Sequence, residues 1–217
     1  MNRDLAGMRR VYAANDLAEA NAGECPFALF DAWMADAAKT ETLDPNAMTL
    51  ATVDAEGQPK ARTVLLKGFS KQQGWVFYTN YSSDKGKELD KNPRCALLFW
   101  WEQLERQVRI EGSVQKLSEA ASNAYYTSRP RESQLGAWVS EQSKQIASRD
   151  VLIQREAELI QEYQGLATLP KPAHWGGYQV IQTAVEFWQG QPSRLHDRLR
   201  FKLNLETQLW TRERLAP

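Results

Sequence analysis

Lysine and arginine together number 27 in this 217-residue chain, aspartate and glutamate also number 27, and the formal net charge is zero. That balance excludes broad attraction to nucleic acid or to an acidic membrane, so any anion site has to be built by local clustering. No apolar run approaches the roughly 18 residues that a membrane span needs, and two cysteines and two histidines, with no CxxC pair, make no structural zinc site.

A chain of this length can bury roughly 70% of the surface its unfolded form exposes, enough for one large core. Cys25 and Cys95 read as reduced thiols, and "MNRDLAGMRRVY" lacks the apolar centre of a signal peptide, so a cytoplasmic protein is expected. Residues 1–24 are polar and alanine-rich and read as a mobile arm with a helical piece, and residues 25–217 as a single domain. A helix is expected from Pro26, with Phe27, Phe30, Trp33, Met34 and Ala37 at helical spacing.

After Asp44-Pro45 the period changes to two. "AMTLATVDAEGQPKARTVLLKGF" predicts two strands joined at Ala55-Glu56-Gly57, and "GWVFYTNY" a third. "SSDKGKELDKNP" predicts a short helix with a serine cap, ending before Pro93. "RCALLFWW" and "ERQVRIEGSVQKL" are two more strands. The second places Val108, Ile110 and Val114 on one face and Gln107, Arg109, Glu111 and Gln115 on the other. Ser118 caps a helix over "SEAASNAYYTS", "SQLGAWVSEQSK" reads as turn-like, and residues 144–164 as a long charged helix. "LPKPAHWGG" reads as a linker, followed by strands in "YQVIQTAVEFWQG", "RLRFKLN" and "QLWTRERL". Hairpin spacing without repeated βαβ units predicts a mainly β, α+β fold: an antiparallel barrel, closed or partly closed, with inserted helices.

Four segments concentrate chemistry. In "ARTVLLKGF" a regular strand would turn Arg62 and Lys67 to opposite sides, either to serve two anions or one wrapped ligand, or as solvated basic ends. In "YTNYSSDKGKEL" a strand runs into a helix start whose free N–H groups and Lys85 favour phosphate, while Asp84 fits ordinary helix capping. Tyr125 and Arg129 share a helix face near Ser133, a set that suits a phosphate dianion and also fits a salt-bridged helix end. In "SRLHDR" a regular strand would align Arg194, His196, Arg198 and Arg200 on one face, a costly arrangement unless an anion is shared.

Taken together, "RTVLLK", "FYTN", "LERQVRIEG", "SRPRESQLGAWVSEQS", "WGGY", "EFWQG", "RLHDR" and the terminal "ERLAP" resemble the pyridoxamine 5'-phosphate oxidase family. The likeness runs from about residue 45 to the end, with "RRVY" a looser match in the arm. The resemblance implies an FMN-binding split β-barrel homodimer with its active sites at the subunit interface. It implies oxidation of pyridoxamine 5'-phosphate or pyridoxine 5'-phosphate to pyridoxal 5'-phosphate, with oxygen as acceptor and hydrogen peroxide as product.

Carried over by position, the FMN set is Arg62, Val64, Leu65, Lys67, Tyr78, Thr79, Lys85, Gln142, Ser143, Trp188 and Arg198, with Gln107 of the partner subunit. The substrate-phosphate set is Lys67, Tyr125, Arg129 and Ser133, and Arg194 and His196 lie against the substrate ring as the catalytic pair. Two departures stand out. Asp84 occupies a place where the family usually has arginine, which predicts weaker FMN retention, and Val11 stands where some relatives carry an acid. Competing readings are a split-barrel flavin reductase and a non-catalytic flavin- or pyridoxal-phosphate-binding protein.

Overall fold

The computed structural model of the protein describes residues 11, 12 and 16–217. In chain order the elements are α1 (Glu19–Ala22), α2 (Pro26–Ala37), β1 (Ala47–Val53), β2 (Pro59–Leu65), β3 (Gly68–Ser70), β4 (Gly74–Asn80), α3 (Asp84–Lys91), β5 (Arg94–Trp101), β6 (Arg106–Lys116), α4 (Glu119–Ser128), α5 (Arg131–Val139), α6 (Asp150–Glu162), β7 (Trp175–Gln189), β8 (Asp197–Leu203) and β9 (Trp210–Arg214). The strands form one sheet in the order β2-β1-β5-β6-β7-β4-β3, with β8 on β7 and β9 on β8. The pairing path does not return on itself, so the sheet is not closed. The pairs β3–β4, β4–β7, β7–β8 and β8–β9 are all antiparallel. Antiparallel strands with inserted helices are the fold class that the patterning predicts. No described helix is long and apolar enough to cross a membrane.

Much of this follows from local chemistry. The β1–β2 turn is closed by Asp54, whose Oδ1 accepts the N–H groups of Glu56 at 3.1 Å and Gln58 at 2.8 Å, and Gly57 takes φ 84°. Ser83 caps α3 through the Gly86 N–H, and Ser118 caps α4 through the Ala121 N–H. Along β6, Val108 and Ile110 are fully buried and Val114 nearly so, as the alternation requires.

The chain divides into two compact units. The first comprises residues up to 50, 96–112 and 182–217. Its core is aromatic: α2 buries Phe27, Phe30, Trp33 and Ala37. Phe30 meets Phe99 at 5.1 Å, Trp33 meets Phe187 at 5.2 Å, and Phe187 meets Phe201 at 5.8 Å. The second unit comprises 51–95 and 113–181. Trp75, Phe77, Tyr178 and Val180 fill its sheet. Tyr126, Leu135, Leu159, Leu169 and Trp175 tie α4, α5 and α6 to the start of β7.

Three expectations need correction. The "SQLGAWVSEQSK" segment is largely helical, as part of α5, not a turn. Pro130 with φ −51° suits a helix start. Gln134 and Leu135 are buried, and the Gln134 side chain donates to the Thr127 and Arg129 carbonyls and accepts the Leu169 N–H. That tertiary anchoring outweighs the penalty of roughly 1 kcal/mol for Gly136 inside a helix. The charged helix is shorter than 144–164: α6 starts at Asp150, where Ser148 Oγ accepts the Asp150 N–H. Finally, Trp175, Gly176 and Gly177 belong to the 15-residue β7 rather than to a linker. A Cβ at Gly176 would overlap the Tyr81 ring, so glycine is required for close approach.

Candidate functional site

A cleft of about 460 Å³ opens in the second unit. Thr63, Val64 and Leu65 of β2 line it, and Lys67 follows from the break before β3, its N–H donated to the Val76 carbonyl at 2.8 Å. β4 contributes Tyr78, Thr79 and Asn80, α3 contributes Lys85, and α4 contributes Tyr125. Arg129 lies at the α4–α5 junction, Ser133 on α5, Gln142 in the segment after α5, and Trp175 at the start of β7. Lys67, Lys85 and Arg129 supply three cations, and no carboxylate is among the lining residues.

One wall is a slab of rings. Tyr78 and Tyr125 stack at 3.8 Å and 16°, and Tyr78 and Trp175 at 5.3 Å and 11°. The Arg129 guanidinium lies over Trp175 at 4.7 Å. Its Nη1 is buried and makes no hydrogen bond among the described residues. Burial pulls the Arg129 pKa below the ordinary arginine value, with Tyr125 and Tyr126 opposing. Burial, then the Tyr125 and Tyr81 phenols, pushes the Tyr78 phenol up, so it remains a neutral hydroxyl. A buried cationic donor without an acceptor is costly, and an anion in the cleft would relieve it.

Lys85 Nζ donates to Gln142 Oε1 at 2.7 Å and to Ser83 Oγ at 3.3 Å. Burial and then the nearby Arg62 lower its pKa, with Asp84 and Glu88 opposing. Ser143, at φ 74°, accepts the Asp84 N–H at 3.2 Å and does not line the cleft. Asp84 is exposed in the first turn of α3.

Arg62 does not line the cleft either. The expected regular strand from Arg62 to Lys67 is not present, because β2 ends at Leu65. Arg62 Nη2 donates to Glu88 Oε2 at 2.8 Å, Nη1 donates to Thr52 Oγ1, and Thr52 Oγ1 donates to the same Glu88 oxygen at 2.5 Å. Glu88 is the partner that strand periodicity could not reveal, since it lies 26 residues away on a helix.

The second group of candidates lies in the first unit. Here the expected single face of Arg194, His196, Arg198 and Arg200 is corrected: β8 begins only at Asp197, and a 3-10 turn at Pro192–Arg194 precedes it. Ser193 and Arg194 take φ 56° and 63°, a left-handed conformation that costs non-glycine residues of order 1–3 kcal/mol. No shared anion is needed to relieve the strand arginines. Glu186, nearly buried, accepts from Arg198 Nη2 at 2.9 Å and Nε at 3.1 Å. Glu213 accepts from Arg200 Nε at 2.6 Å.

Arg194 is exposed, and its guanidinium has no ion-pair or hydrogen-bond partner among the described residues. His196 packs against Trp188 at 4.6 Å and meets the edge of Tyr12 at 5.4 Å. Its Nδ1 accepts the Gln191 N–H at 3.0 Å, which leaves the proton of a neutral ring on Nε2. Gln107 is half-buried on β6. Val11 is exposed, and Arg9 and Arg10 of "RRVY" lie outside the described residues.

Residues 34–163 match the family model described as pyridoxamine 5'-phosphate oxidase, and residues 175–217 match the pyridoxine 5'-phosphate oxidase C-terminal dimerisation region. The chain is 52% identical over 217 residues to a pyridoxine/pyridoxamine 5'-phosphate oxidase of Chromohalobacter salexigens, covering 100% of both chains. It is 52% identical over 219 residues to one of Pseudomonas paraeruginosa, again covering 100% of both. Among solved structures, PhzG from Burkholderia lata in complex with tetrahydrophenazine-1-carboxylic acid is similar at a TM-score of 0.85 and 27% identity, over 94% of this chain and 99% of that one. An FMN-binding, pyridoxamine 5'-phosphate oxidase-related protein of Nostoc punctiforme shares the fold at a TM-score of 0.72 and 17% identity, over 90% of this chain and 100% of that one.

Proposed function

The chain belongs to the pyridoxamine 5'-phosphate oxidase family, an oxidoreductase family, and from that premise we propose that it oxidises pyridoxamine 5'-phosphate or pyridoxine 5'-phosphate to pyridoxal 5'-phosphate. In this reading FMN is the resident flavin, oxygen is the electron acceptor and hydrogen peroxide the product. The protein acts as a homodimer, in keeping with the matched dimerisation region, and in this reading its active sites lie at the subunit interface.

One observation carries the reading. An electrically neutral chain sets three cations and no carboxylate around a cleft walled by stacked rings, with a buried arginine donor left unpaired. Such a lining suits phosphorylated aromatic molecules, and its volume lies within the usual range for small-molecule sites, roughly 300–1,000 Å³.

FMN fits this donor set. Val64, Leu65, Lys67, Tyr78, Thr79, Lys85 and Gln142 of the cleft lining would hold it; Arg62, Ser143, Trp188 and Arg198, and Gln107 of the partner subunit, are added to the set by the family resemblance alone. When bound, the flavin supplies the two-electron acceptor for the hydride that leaves the substrate C4' carbon. Lys67, Tyr125, Arg129 and Ser133 grip the substrate phosphate, a remote handle whose binding energy holds the reacting carbon in place. Arg194 orients the substrate ring and stabilises charge on its oxygen or amine. His196, with its proton on Nε2, donates a hydrogen bond to the ring. No separate general base is assigned.

An anaerobic titration tests the reading. Adding pyridoxine 5'-phosphate to the purified yellow protein is expected to bleach the flavin band, and readmitting oxygen to restore it with release of peroxide. A yellow protein that neither bleaches nor makes peroxide would be a flavin-binding protein without oxidase activity, and bleaching by reduced nicotinamide alone would mark a reductase.

The exposed Asp84 supplies a second test. Asp84→Arg replaces a negative charge beside Lys85 with a positive one, and is expected to tighten FMN roughly two- to five-fold, the range of a surface charge pair of about 0.4–1 kcal/mol. Flavin dissociation constants of the two proteins measure this, and equal values would remove Asp84 from the account of flavin affinity.

A further inference from the structure

The segment from Gln191 to Asp197 is a turn whose two ends are pinned by one residue. The Gln191 backbone N–H donates to His196 Nδ1 at 3.0 Å, and Gln191 Nε2 donates to Asp197 Oδ2 at 2.9 Å. Within the turn the Leu195 N–H donates to the Pro192 carbonyl at 3.1 Å. Asp197 is itself held from two further directions. Its Oδ1 accepts Arg214 Nη1 at 2.5 Å, and its Oδ2 also accepts the Leu17 N–H at 3.2 Å. Burial opposes ionisation of the Asp197 carboxyl, but Arg214, the Leu17 N–H and Gln191 outweigh it and hold the group below its ordinary pKa. Asp197 is therefore a charged acceptor anchored to β9 and to the chain before α1.

We infer that Gln191 and Asp197 are positioning residues for the proposed oxidation: they keep the His196 proton on Nε2 and keep Arg194 in its left-handed backbone conformation. The inference rests on the oxidase reading. A neutral imidazole has one donor and one acceptor, and occupying Nδ1 with a fixed N–H commits Nε2 to donation. Ser193 and Arg194, at positive φ, lie within this closed turn, and such a conformation persists only where the surrounding structure holds it. Releasing the Gln191–Asp197 bond frees the turn to relax, and both side chains that meet the substrate ring lose their alignment. A misplacement of about 1 Å is enough to lower a rate by as much as about 100-fold.

The test uses the FMN-loaded protein with Gln191→Met, which keeps the side-chain length and removes the donor. Asp197→Asn is the second variant, since its amide N–H groups would meet the donors of Gln191, Leu17 and Arg214. The chain has two histidines, so a long-range proton–nitrogen spectrum, assigned with His174→Gln, reads the His196 tautomer directly. In the wild type Nδ1 is expected to be unprotonated. In Gln191→Met the two nitrogen resonances are expected to converge, and kcat to fall about 10-fold, with KM and FMN content within about two-fold. In a His196→Ala background the same substitution is expected to cost clearly less than about 10-fold, because the part that acts through the imidazole is gone and only the part that acts through Arg194 remains. A protonated Nδ1 in the wild type, or an equal loss in both backgrounds, would overturn the inference. Failure of the wild type to oxidise pyridoxine 5'-phosphate, with the tautomer as stated, would instead overturn the oxidase reading and with it the catalytic role, leaving the pinned imidazole intact.

Discussion

Replacing Arg129 with methionine is expected to raise KM for pyridoxine 5'-phosphate about 10- to 100-fold while kcat stays within about three-fold. The guanidinium lies over Trp175, and its buried Nη1 has no acceptor among the described residues. Hydrogen bonds to charged groups contribute about 1.5–3 kcal/mol, which corresponds to that range of affinity. In the proposed reading Lys67, Tyr125 and Ser133 still hold the phosphate in the variant and keep the reacting carbon placed, so the lost contact is one that ground and transition states share and its loss falls on KM. In the same reading unphosphorylated pyridoxine does not engage this donor, and its kcat/KM is expected to be unchanged. The discrimination between the two forms therefore shrinks by the same factor. The ligand-free protein behaves oppositely: removing an unsatisfied buried donor is expected to leave its stability unchanged or raise it by about 1 kcal/mol. Steady-state kinetics on both substrates, with denaturant unfolding of the flavin-free protein, measure these outcomes. An unaltered KM for the phosphorylated substrate would remove Arg129 from the phosphate site.

Leu159→Ala is expected to destabilise the second unit by about 2–5 kcal/mol, the range for a buried leucine truncated to alanine. Leu159 is the buried residue of the 13-residue α6, fully enclosed among Tyr126, Leu135, Leu169 and Trp175. The helix carries an Arg155–Glu158 pair at 3.1 Å, but both partners are exposed and such a pair contributes only up to about 0.5 kcal/mol. Burial of one side chain thus outweighs the charges that make α6 conspicuous in the sequence. Denaturant unfolding reads the loss, and hydrogen exchange is expected to show α6 amides opening ahead of the β4–β7 pair. A loss below about 1 kcal/mol would mean that other contacts hold α6 in place. Because Trp175 belongs to both this cluster and the cleft wall, flavin retention is expected to weaken alongside stability.

The parts of the fold that the sequence makes legible are those decided within a few residues. Alternation along β6, serine caps at Ser83 and Ser118, and the Asp54–Gly57 turn depend on side chains that act on their own backbone. The same holds for the identity of the candidate groups: Lys67, Lys85, Tyr125, Arg129 and Ser133 are visible as an unusual concentration of phosphate chemistry, and they do line one cleft. α5 escapes such reading because Gln134 and Leu135 become helical through contacts to Leu169 and Tyr126, which no local window contains.

Fold class, family and the positions of the charged residues can be read along the chain, because periodicity, caps and motifs are short-range properties. Which of those charges are free depends on contacts between distant segments. Arg62 is answered by Glu88, Arg198 by Glu186 and Arg200 by Glu213, whereas Arg129 keeps an unpaired donor in the cleft and Arg194 stands without a partner among the described residues. Pairing is set by strand register and helix docking, which bring together residues 26, 12 and 13 positions apart. A one-residue shift in register would exchange the faces on which these groups meet and redistribute the charge.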